Sequence, residues 1–126
     1  MPFDVRKLIE MHDAAWNAQD VDAIVALYTD DVVFQNHTAG EPPVVGRAAV
    51  RSHLEGIFAR WPDMQFSSRR LYLSEEFCAS EWTARATTGD GRRIEWDGVD
   101  VLPIRNAAIA RKDVYSTSHA PREPTD

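Results

Sequence analysis

Three polar side chains stand among apolar neighbours in this sequence and are the first candidates for chemistry: His12, Asn36 and Asp100. Asn36 has the same strand parity as Val32 and Phe34, which places an amide on an apolar face. Buried polar groups need hydrogen-bonding partners, so each of the three is either a structural tie or part of a pocket. In a pocket, a carboxylate could act as a general base or a neutral proton donor, and an imidazole or an amide could orient a ligand through hydrogen bonds.

Asp100 is the only charge on the more apolar face of the strand predicted over residues 92–104. The other residues on that face are Ile94, Trp96, Gly98, Leu102 and Ile104. A carboxylate in such surroundings is removed from water, which suits a general base or a neutral proton donor. The structural alternative is an aspartate that is bonded to a neighbouring strand.

His12 lies in the middle of the apolar stripe of the first predicted helix, between Leu8 and Trp16. One interpretation is a core histidine bonded to a backbone carbonyl. The other is a pocket histidine that acts as a donor or as an acid or base.

The elements that position these residues are three helices followed by a run of strands. Helical spacing predicts a first helix over residues 4–17. Asp20 can cap a second helix, in which Tyr28 belongs to the buried stripe and which Asp30-Asp31 closes. A strand at Val32–Phe34 and a loop over 40–43 follow, and a third helix begins after Gly46 and stops at Pro62.

After Pro62 the pattern changes to strands, which we predict over residues 64–73, 77–87, 92–104 and 108–117. Gly89-Asp90-Gly91 is a hairpin signal between the second and third of these strands. Helices first and strands afterwards indicate an α+β fold with the helices packed on one face of a sheet. We expect one domain over residues 1–119 and a flexible C-terminal tail over 120–126.

Aromatic residues on the predicted apolar faces could form the walls of a pocket. Trp82 lies among small residues on its strand face, which either leave room for a ligand or pack under a helix. On the opposite face of the third strand, a patch of Val99, Val101 and Pro103 predicts a homodimer through the convex face of the sheet. The candidate wall residues are Trp16, Phe34, Phe58, Trp61, Trp82 and Trp96.

Composition excludes several classes of function. The formal net charge of -6 disfavours nucleic acid and anionic membranes as partners. One cysteine allows no internal disulfide, and the spacing of His37, His53 and His119 indicates no metal site. No apolar run approaches the ~20 residues that span a bilayer, and the N-terminal residues are not those of a signal peptide, so we expect a cytoplasmic protein.

Several segments carry a resemblance that covers the chain to about Thr117. The segments are DVDAIV from Asp20, YTDDVVFQN from Tyr28, GRAAV from Gly46, FARWPD from Phe58, and DGVDV from Asp97. Their order resembles the nuclear-transport-factor-two-like superfamily, which includes ketosteroid isomerases, SnoaL-type polyketide cyclases and limonene epoxide hydrolases. The resemblance implies a cystatin-like cone, in which three N-terminal helices pack on a strongly curved, mixed but mostly antiparallel sheet that encloses a pocket.

Carried over residue by residue, the resemblance puts His12 where the isomerases have an oxyanion-hole tyrosine. Asn36 takes the place of their general-base aspartate and cannot act as a base. Asp100 matches their second aspartate and also the aspartate that SnoaL-type cyclases use as a base. The isomerase proton shuttle is therefore not intact, but a cyclase-like arrangement remains.

The epoxide hydrolases share the Gln35-Asn36 pair, but the tyrosine of their site is here Phe34. Their Asp-Arg-Asp triad would fall at Trp82, Ala84 and about Val114, none of which is retained. Asp113 adjoins the last position, and a shift of one residue in the turn before it would bring it inward. Without the arginine and the first aspartate, the resemblance does not favour epoxide hydrolysis.

The sequence thus predicts a pocket for a small hydrophobic or polycyclic molecule. In one interpretation the protein is an isomerase or cyclase that needs no cofactor and uses Asp100 as its general base. In the other it is a non-catalytic ligand-binding or accessory module of the same fold.

Overall fold

The computed structural model describes residues 3–124, which form three helices and six strands. The helices are α1 (Val5–Asn17), α2 (Val21–Val25) and α3 (Arg47–Arg60). The strands are β1 (Tyr28–Asn36), β2 (Val44–Val45), β3 (Gln65–Leu73), β4 (Phe77–Thr87), β5 (Arg93–Arg105) and β6 (Ala108–Ser116). The predicted α+β class and the three N-terminal helices are confirmed. None of the helices in residues 3–124 has the length and apolar character that crossing a membrane requires.

Side-chain caps start the first two helices, and the cap of the second, Asp20, is the one that the sequence predicts. Asp4 accepts a hydrogen bond from the backbone N–H of Lys7, and Asp20 accepts one from that of Ala23, both at 3.1 Å. Each cap satisfies a backbone donor that the first turn of a helix leaves free. The helix α1 turns His12 and Trp16, with its apolar residues, towards the sheet.

The prediction that the second helix extends to Tyr28 and closes at Asp30-Asp31 is wrong. The helix α2 ends at Val25, and these three residues belong to β1. Tyr28 is fully buried and follows Ile24 by four positions, which is the spacing of residues on one face of a helix. Its burial is therefore consistent with a helix as well as with a strand. The backbone does distinguish them, because the N–H of Ile109 donates to the carbonyl of Leu27 and Tyr28 pairs with Ile109.

The strands form one open sheet in the order β2-β1-β6-β5-β4-β3. Only β1 and β6 run parallel, and the four other pairings are antiparallel, which confirms a mixed, mostly antiparallel sheet. Register shifts interrupt three of the pairings, and such irregularities bend a sheet and increase its twist. The two-residue strand β2 lies just beyond the predicted loop and was not predicted.

The apolar core fills the space between the helices and the inner face of the sheet. Ile9, Ile24 and Leu54 from the helices and Leu102 and Ile109 from the strands are completely buried there. The residues of β4 alternate strictly between buried and half-buried over most of its length, as expected for a strand with one face on the core.

Part of the predicted C-terminal tail is attached to the sheet. The backbone of Arg122 forms two hydrogen bonds with that of Glu95, at 2.8 and 3.0 Å, and its guanidinium group contacts Glu95 and Asp97. Residues 1–2 and 125–126 lie outside the described part of the chain.

Candidate functional site

A cavity of about 170 Å³ lies between α1 and the inner face of strands β3 to β6. A dry cavity of ~150 Å³ is large enough for benzene, so this one accommodates a ligand of about one ring. It is smaller than the ~300–1,000 Å³ usual for drug-sized ligands, which disfavours complete burial of a polycyclic molecule. Its lining residues are His12, Asp13, Trp16, Asn17, Phe66, Ser68, Ser80, Trp82, Asp100 and Lys112.

A buried ion pair is part of the lining of this cavity. Lys112 Nζ on β6 lies 3.3 Å from Asp100 Oδ2 on β5, and their side chains are only 6% and 9% exposed. The ammonium group also lies 3.6 Å from the ring centre of Trp16, in cation–π contact. Asp100 therefore has a charged partner that the sequence analysis missed.

Burial gives Lys112 an unusual titration. Desolvation lowers the pKa of its amine, because the charged form loses its hydration, and the neighbouring Asp100 carboxylate opposes this effect. Buried lysines of this kind serve as bases and as nucleophiles in proteins.

Two buried polar atoms of the lining residues have no hydrogen-bond partner among residues 3–124: Asp100 Oδ1 and Trp82 Nε1. One is an acceptor and the other is a donor. Because unsatisfied buried polar atoms are costly, this pair indicates a place for a polar ligand or for water.

His12 lies beside the ion pair and is bonded to a tyrosine hydroxyl, not to a backbone carbonyl. Its Nε2 is 3.0 Å from the hydroxyl oxygen of Tyr28, and Trp16 Nε1 donates to the same oxygen at 3.4 Å. The tyrosine hydrogen is then available to the imidazole nitrogen, which fits a neutral ring that carries its proton on Nδ1.

Burial and the nearby ammonium group of Lys112 lower the pKa of His12, and burial raises that of Tyr28 far above its usual range. Both groups are thus neutral at physiological pH. Together they form a polar but uncharged pair next to Asp100 and Lys112, and of the two only His12 lines the cavity.

Asn36 does not line the cavity. Its side-chain oxygen accepts hydrogen bonds from the backbone N–H groups of Thr38 and Ala39, at 3.2 and 3.4 Å. An asparagine that bonds to the backbone two and three residues ahead stabilises the turn after a strand. Of the three candidate catalytic residues, the structure brings His12 and Asp100 together and leaves Asn36 at the end of β1.

The six candidate wall residues divide into three groups. Trp16 and Trp82 line the cavity, and Phe34 and Phe58 pack behind Trp16 with ring centres 6.3 and 5.3 Å away. The last group does not reach the cavity: Trp61 and Trp96 pack against each other at 5.7 Å. Phe66, which was not a candidate, completes the aromatic wall edge-on to Trp16 and Trp82.

The last position of the epoxide-hydrolase triad falls at Val114 or the adjoining Asp113, and their surroundings show whether either faces the cavity. Val114 is buried in the core, whereas Asp113 is bonded to Arg111 and to His37 Nε2. Neither residue lines the cavity, and the suggested inward shift of Asp113 does not occur.

Lys112 could have been suspected from its strand parity with Val114. Its neighbours Arg111 and Asp113 instead gave the segment the appearance of an exposed strand. No group of three or more His, Cys, Asp or Glu side chains in residues 3–124 is placed to hold a metal ion.

Helices packed on a bent mixed sheet, with a polar cavity between them, are characteristic of the nuclear-transport-factor-two-like class of proteins. Within that class, the model of the SnoaL-like domain family matches residues 8–112, and the chain belongs to that family. No curated protein sequence matches this chain.

Solved structures share this fold at low sequence identity. A cystatin-fold protein from Novosphingobium aromaticivorans, described as uncharacterized, is 24% identical, with a TM-score of 0.77 over 90% of this chain and 99% of its own. IdmH from Streptomyces antibioticus, a suggested polyketide cyclase, is 18% identical, with a TM-score of 0.80 over 92% and 94% of the two chains. The epoxide hydrolase/cyclase-like enzyme SalBIII is 19% identical, with a TM-score of 0.81 over 94% and 95%. Similarity at this level establishes the fold alone.

Proposed function

We propose that the protein binds a small carbonyl compound in this cavity and transfers a proton next to the carbonyl group without a cofactor. The observation that carries the proposal is the buried Asp100 Oδ1, an acceptor with no partner in residues 3–124, on a residue that lines a cavity of one-ring size. Its other oxygen is held by Lys112, which fixes the direction of the free one. A positioned carboxylate of this kind typically contributes ~10²–10⁴ in rate as a general base.

The negative charge that develops on the carbonyl oxygen needs donors, and two residues that line the cavity carry one. Trp82 Nε1 has no partner within residues 3–124, and the Lys112 ammonium group is a positive charge in a site largely removed from water. Preorganised donors in such a site stabilise an enolate more strongly than water does. Neutral His12, which is held by Tyr28, would then help to orient the ligand.

The test is the exchange of α-protons for deuterium in a one-ring ketone such as cyclohexanone, followed by NMR. We expect wild-type protein to accelerate exchange over buffer, and Asp100→Asn to lower the protein-dependent rate by about 10²–10⁴. The matched control is Asp113→Asn, since Asp113 is an aspartate of the same sheet that lies outside the cavity. Exchange that survives in Asp100→Asn would show that the base is elsewhere.

The Asp100–Lys112 pair also favours a second candidate, a ligand-binding module without catalysis. If the pair serves only to satisfy two buried charges, the cavity would bind ligands without moving a proton. Ligand affinity would then be independent of pH around neutrality, whereas a base that changes protonation on binding would make it depend on pH.

A further inference from the structure

The chain has two lysines, and they lie in opposite environments. Lys7 is exposed on α1, whereas the amine of Lys112 is enclosed by the cavity. The groups around it are the Asp100 carboxylate, the Trp16 ring and His12, and Asp13 also lines the cavity. The mechanism proposed above uses Lys112 only as a charge, which leaves its nucleophilic nitrogen without a role.

We propose that Lys112 bonds covalently to the carbonyl carbon of the ligand and forms an imine with small aldehydes and ketones. The inference deepens the proposed function and rests on it for the class of ligand. Three features of the site carry it: an enclosed amine, a carboxylate 3.3 Å away, and an adjoining cavity of about 170 Å³ that holds the reacting group.

The surroundings make this amine a better nucleophile than an exposed lysine. Burial lowers the pKa of Lys112, so that more of it is present as free amine at neutral pH. The contact with Asp100 gives the ammonium proton a nearby acceptor. The aromatic rings beside it limit the access of water, which otherwise hydrolyses imines.

Asp100 and Lys112 together supply and take up every proton that the reaction moves. Asp100 takes a proton from the ammonium group, and the free amine attacks the carbonyl carbon, forming a C–N bond while the C=O electrons move to oxygen. Asp100 returns its proton to that oxygen, which gives a carbinolamine. It then removes a second proton from nitrogen and delivers it to the hydroxyl group, which leaves as water as the C=N bond forms. The products are a protonated imine, an ionised Asp100 and one water molecule.

This bond would also assist the proton transfer proposed above. A protonated imine withdraws electrons more strongly than a neutral carbonyl, so the neighbouring C–H becomes more acidic. Asp100 Oδ1, which has no partner within residues 3–124, is then close to that C–H as the base. Loss of the proton yields a neutral enamine, and in a ligand with a β,γ double bond its return to the γ-carbon would move that double bond.

Reductive trapping on the intact protein tests the inference. Protein is incubated with benzaldehyde and cyanoborohydride, which delivers hydride to the imine carbon and makes the adduct permanent, and peptide mass mapping then compares the two lysines. We expect Lys112 to be modified at least about tenfold more than Lys7 in the folded protein. In denaturant, where the cavity is lost, both lysines should react equally. Modification of Lys112 at or below the level of Lys7 in the folded protein would overturn the inference.

Two variants and a size control sharpen the result. Lys112→Arg keeps a cation beside Asp100 but forms no reducible imine, so the cavity adduct should disappear, whereas Lys7→Arg should leave it unchanged. An aldehyde with three fused rings should label Lys112 less than benzaldehyde does, because the cavity holds about one ring. Equal labelling of Lys112 by both aldehydes would count against reaction inside the cavity.

The two proposals fail separately. If exchange of α-protons depends on Asp100 but no adduct forms at Lys112, the imine is excluded and the proton-transfer function stands. If Lys112 is trapped but no exchange occurs, the covalent site stands and the proton-transfer function fails.

Discussion

At the scale of single residues, the cavity depends on two charges that stabilise each other away from water. Removing one partner leaves the other as an uncompensated buried charge, which typically costs ~3–5 kcal/mol. We therefore expect Lys112→Met to lower the free energy of unfolding by about that amount, as measured by urea denaturation. The exposed Lys7→Met should change it by less than ~0.5 kcal/mol.

The double variant Asp100→Leu, Lys112→Met separates a lost charge balance from lost packing. Replacing both members of a buried pair by apolar groups is often neutral or stabilising, so the double variant should recover most of the stability that Lys112→Met loses. A double variant that is less stable than either single variant would contradict this account of the site.

His12 makes stability depend on pH. The folded protein keeps this ring neutral because burial and Lys112 lower its pKa, whereas the unfolded chain binds a proton near the usual value of 6.5. The contribution of His12 to stability is complete above pH 6.5 and is lost as the pH falls from there towards the lowered folded pKa.

The expected slope is up to ~1.4 kcal/mol of unfolding free energy per pH unit in that window. His12→Gln should remove this component. Because the groups facing His12 are Tyr28, Asp13, Asp100 and Lys112, all present in the variant, the difference between the two slopes isolates the imidazole. Identical slopes for the two proteins would contradict the lowered pKa.

At this scale, the sequence revealed a site residue only where its type differed from that of its neighbours on the same face. Asp100 was found because it is the single charge on an apolar strand face. Lys112 was missed because Arg111 and Asp113 flank it, and because a register shift in the β5–β6 pairing breaks the alternation that would have linked it to buried Ile109. Asn36 was assigned to the pocket from strand parity and from the family resemblance, neither of which reveals a bond to the following turn.

At the scale of elements, periodicity and turn residues predicted most of the architecture. The bounds of β4 match the prediction, those of β3 and β6 differ from it by one residue at one end, and those of β5 by one residue at each end. The prediction for Tyr28 was wrong because this residue follows Ile24 by four positions, which is helical spacing. Only the long-range pairing with Ile109 places it in a strand.

The close packing of β4 against β5 at Gly98 supports the wall of the cavity. A Cβ atom built there would lie less than 3.0 Å from ring carbons of Trp82, which packs over the glycine. We expect Gly98→Ala to displace the indole ring, to lower the unfolding free energy by about 1–3 kcal/mol, and to weaken ligand binding in the cavity. Urea denaturation and ligand titration measure the two effects.

Gly56 in α3 provides the matched control, because a Cβ there meets nothing within 4 Å. Gly56→Ala should stabilise the protein by up to ~1 kcal/mol through helix propensity and leave ligand binding unchanged. If both variants behaved alike, the wall of the cavity would not depend on Gly98.

At the scale of the whole molecule, fold and function separate. The chain belongs to the SnoaL-like family, and structures less than 25% identical to it share nearly its whole length, yet they are described as proteins of several kinds. The fold therefore follows from distributed apolar patterning, whereas the chemistry depends on a few side chains such as Lys112 that pattern does not determine.

The outer face of the sheet is the basis for the predicted homodimer. Strand register extends the patch of Val99, Val101 and Pro103 across its neighbours, since Phe77 pairs with Pro103 and Tyr115 pairs with Val99. Phe77 and Tyr115 are 51% and 47% exposed, which is unusual for such large apolar side chains. An apolar patch that runs over three strands is a natural contact for a second copy of the same chain.

Val101→Asp tests this contact, because Val101 lies in the middle of the patch, between Ala79 and Asp113 on the flanking strands. A two-fold interface brings a central patch close to its own copy, so the variant would place new negative charges near each other and beside the existing Asp113. We expect wild-type protein to elute as a dimer at micromolar concentration and Val101→Asp as a monomer in size-exclusion chromatography.

Val45→Asp is the control for this experiment. Val45 is 60% exposed on β2 at the far edge of the sheet, so its substitution should leave the dimer intact. A wild-type monomer at that concentration would refute the dimer, and a dimer that persists in Val101→Asp would place the contact on another face.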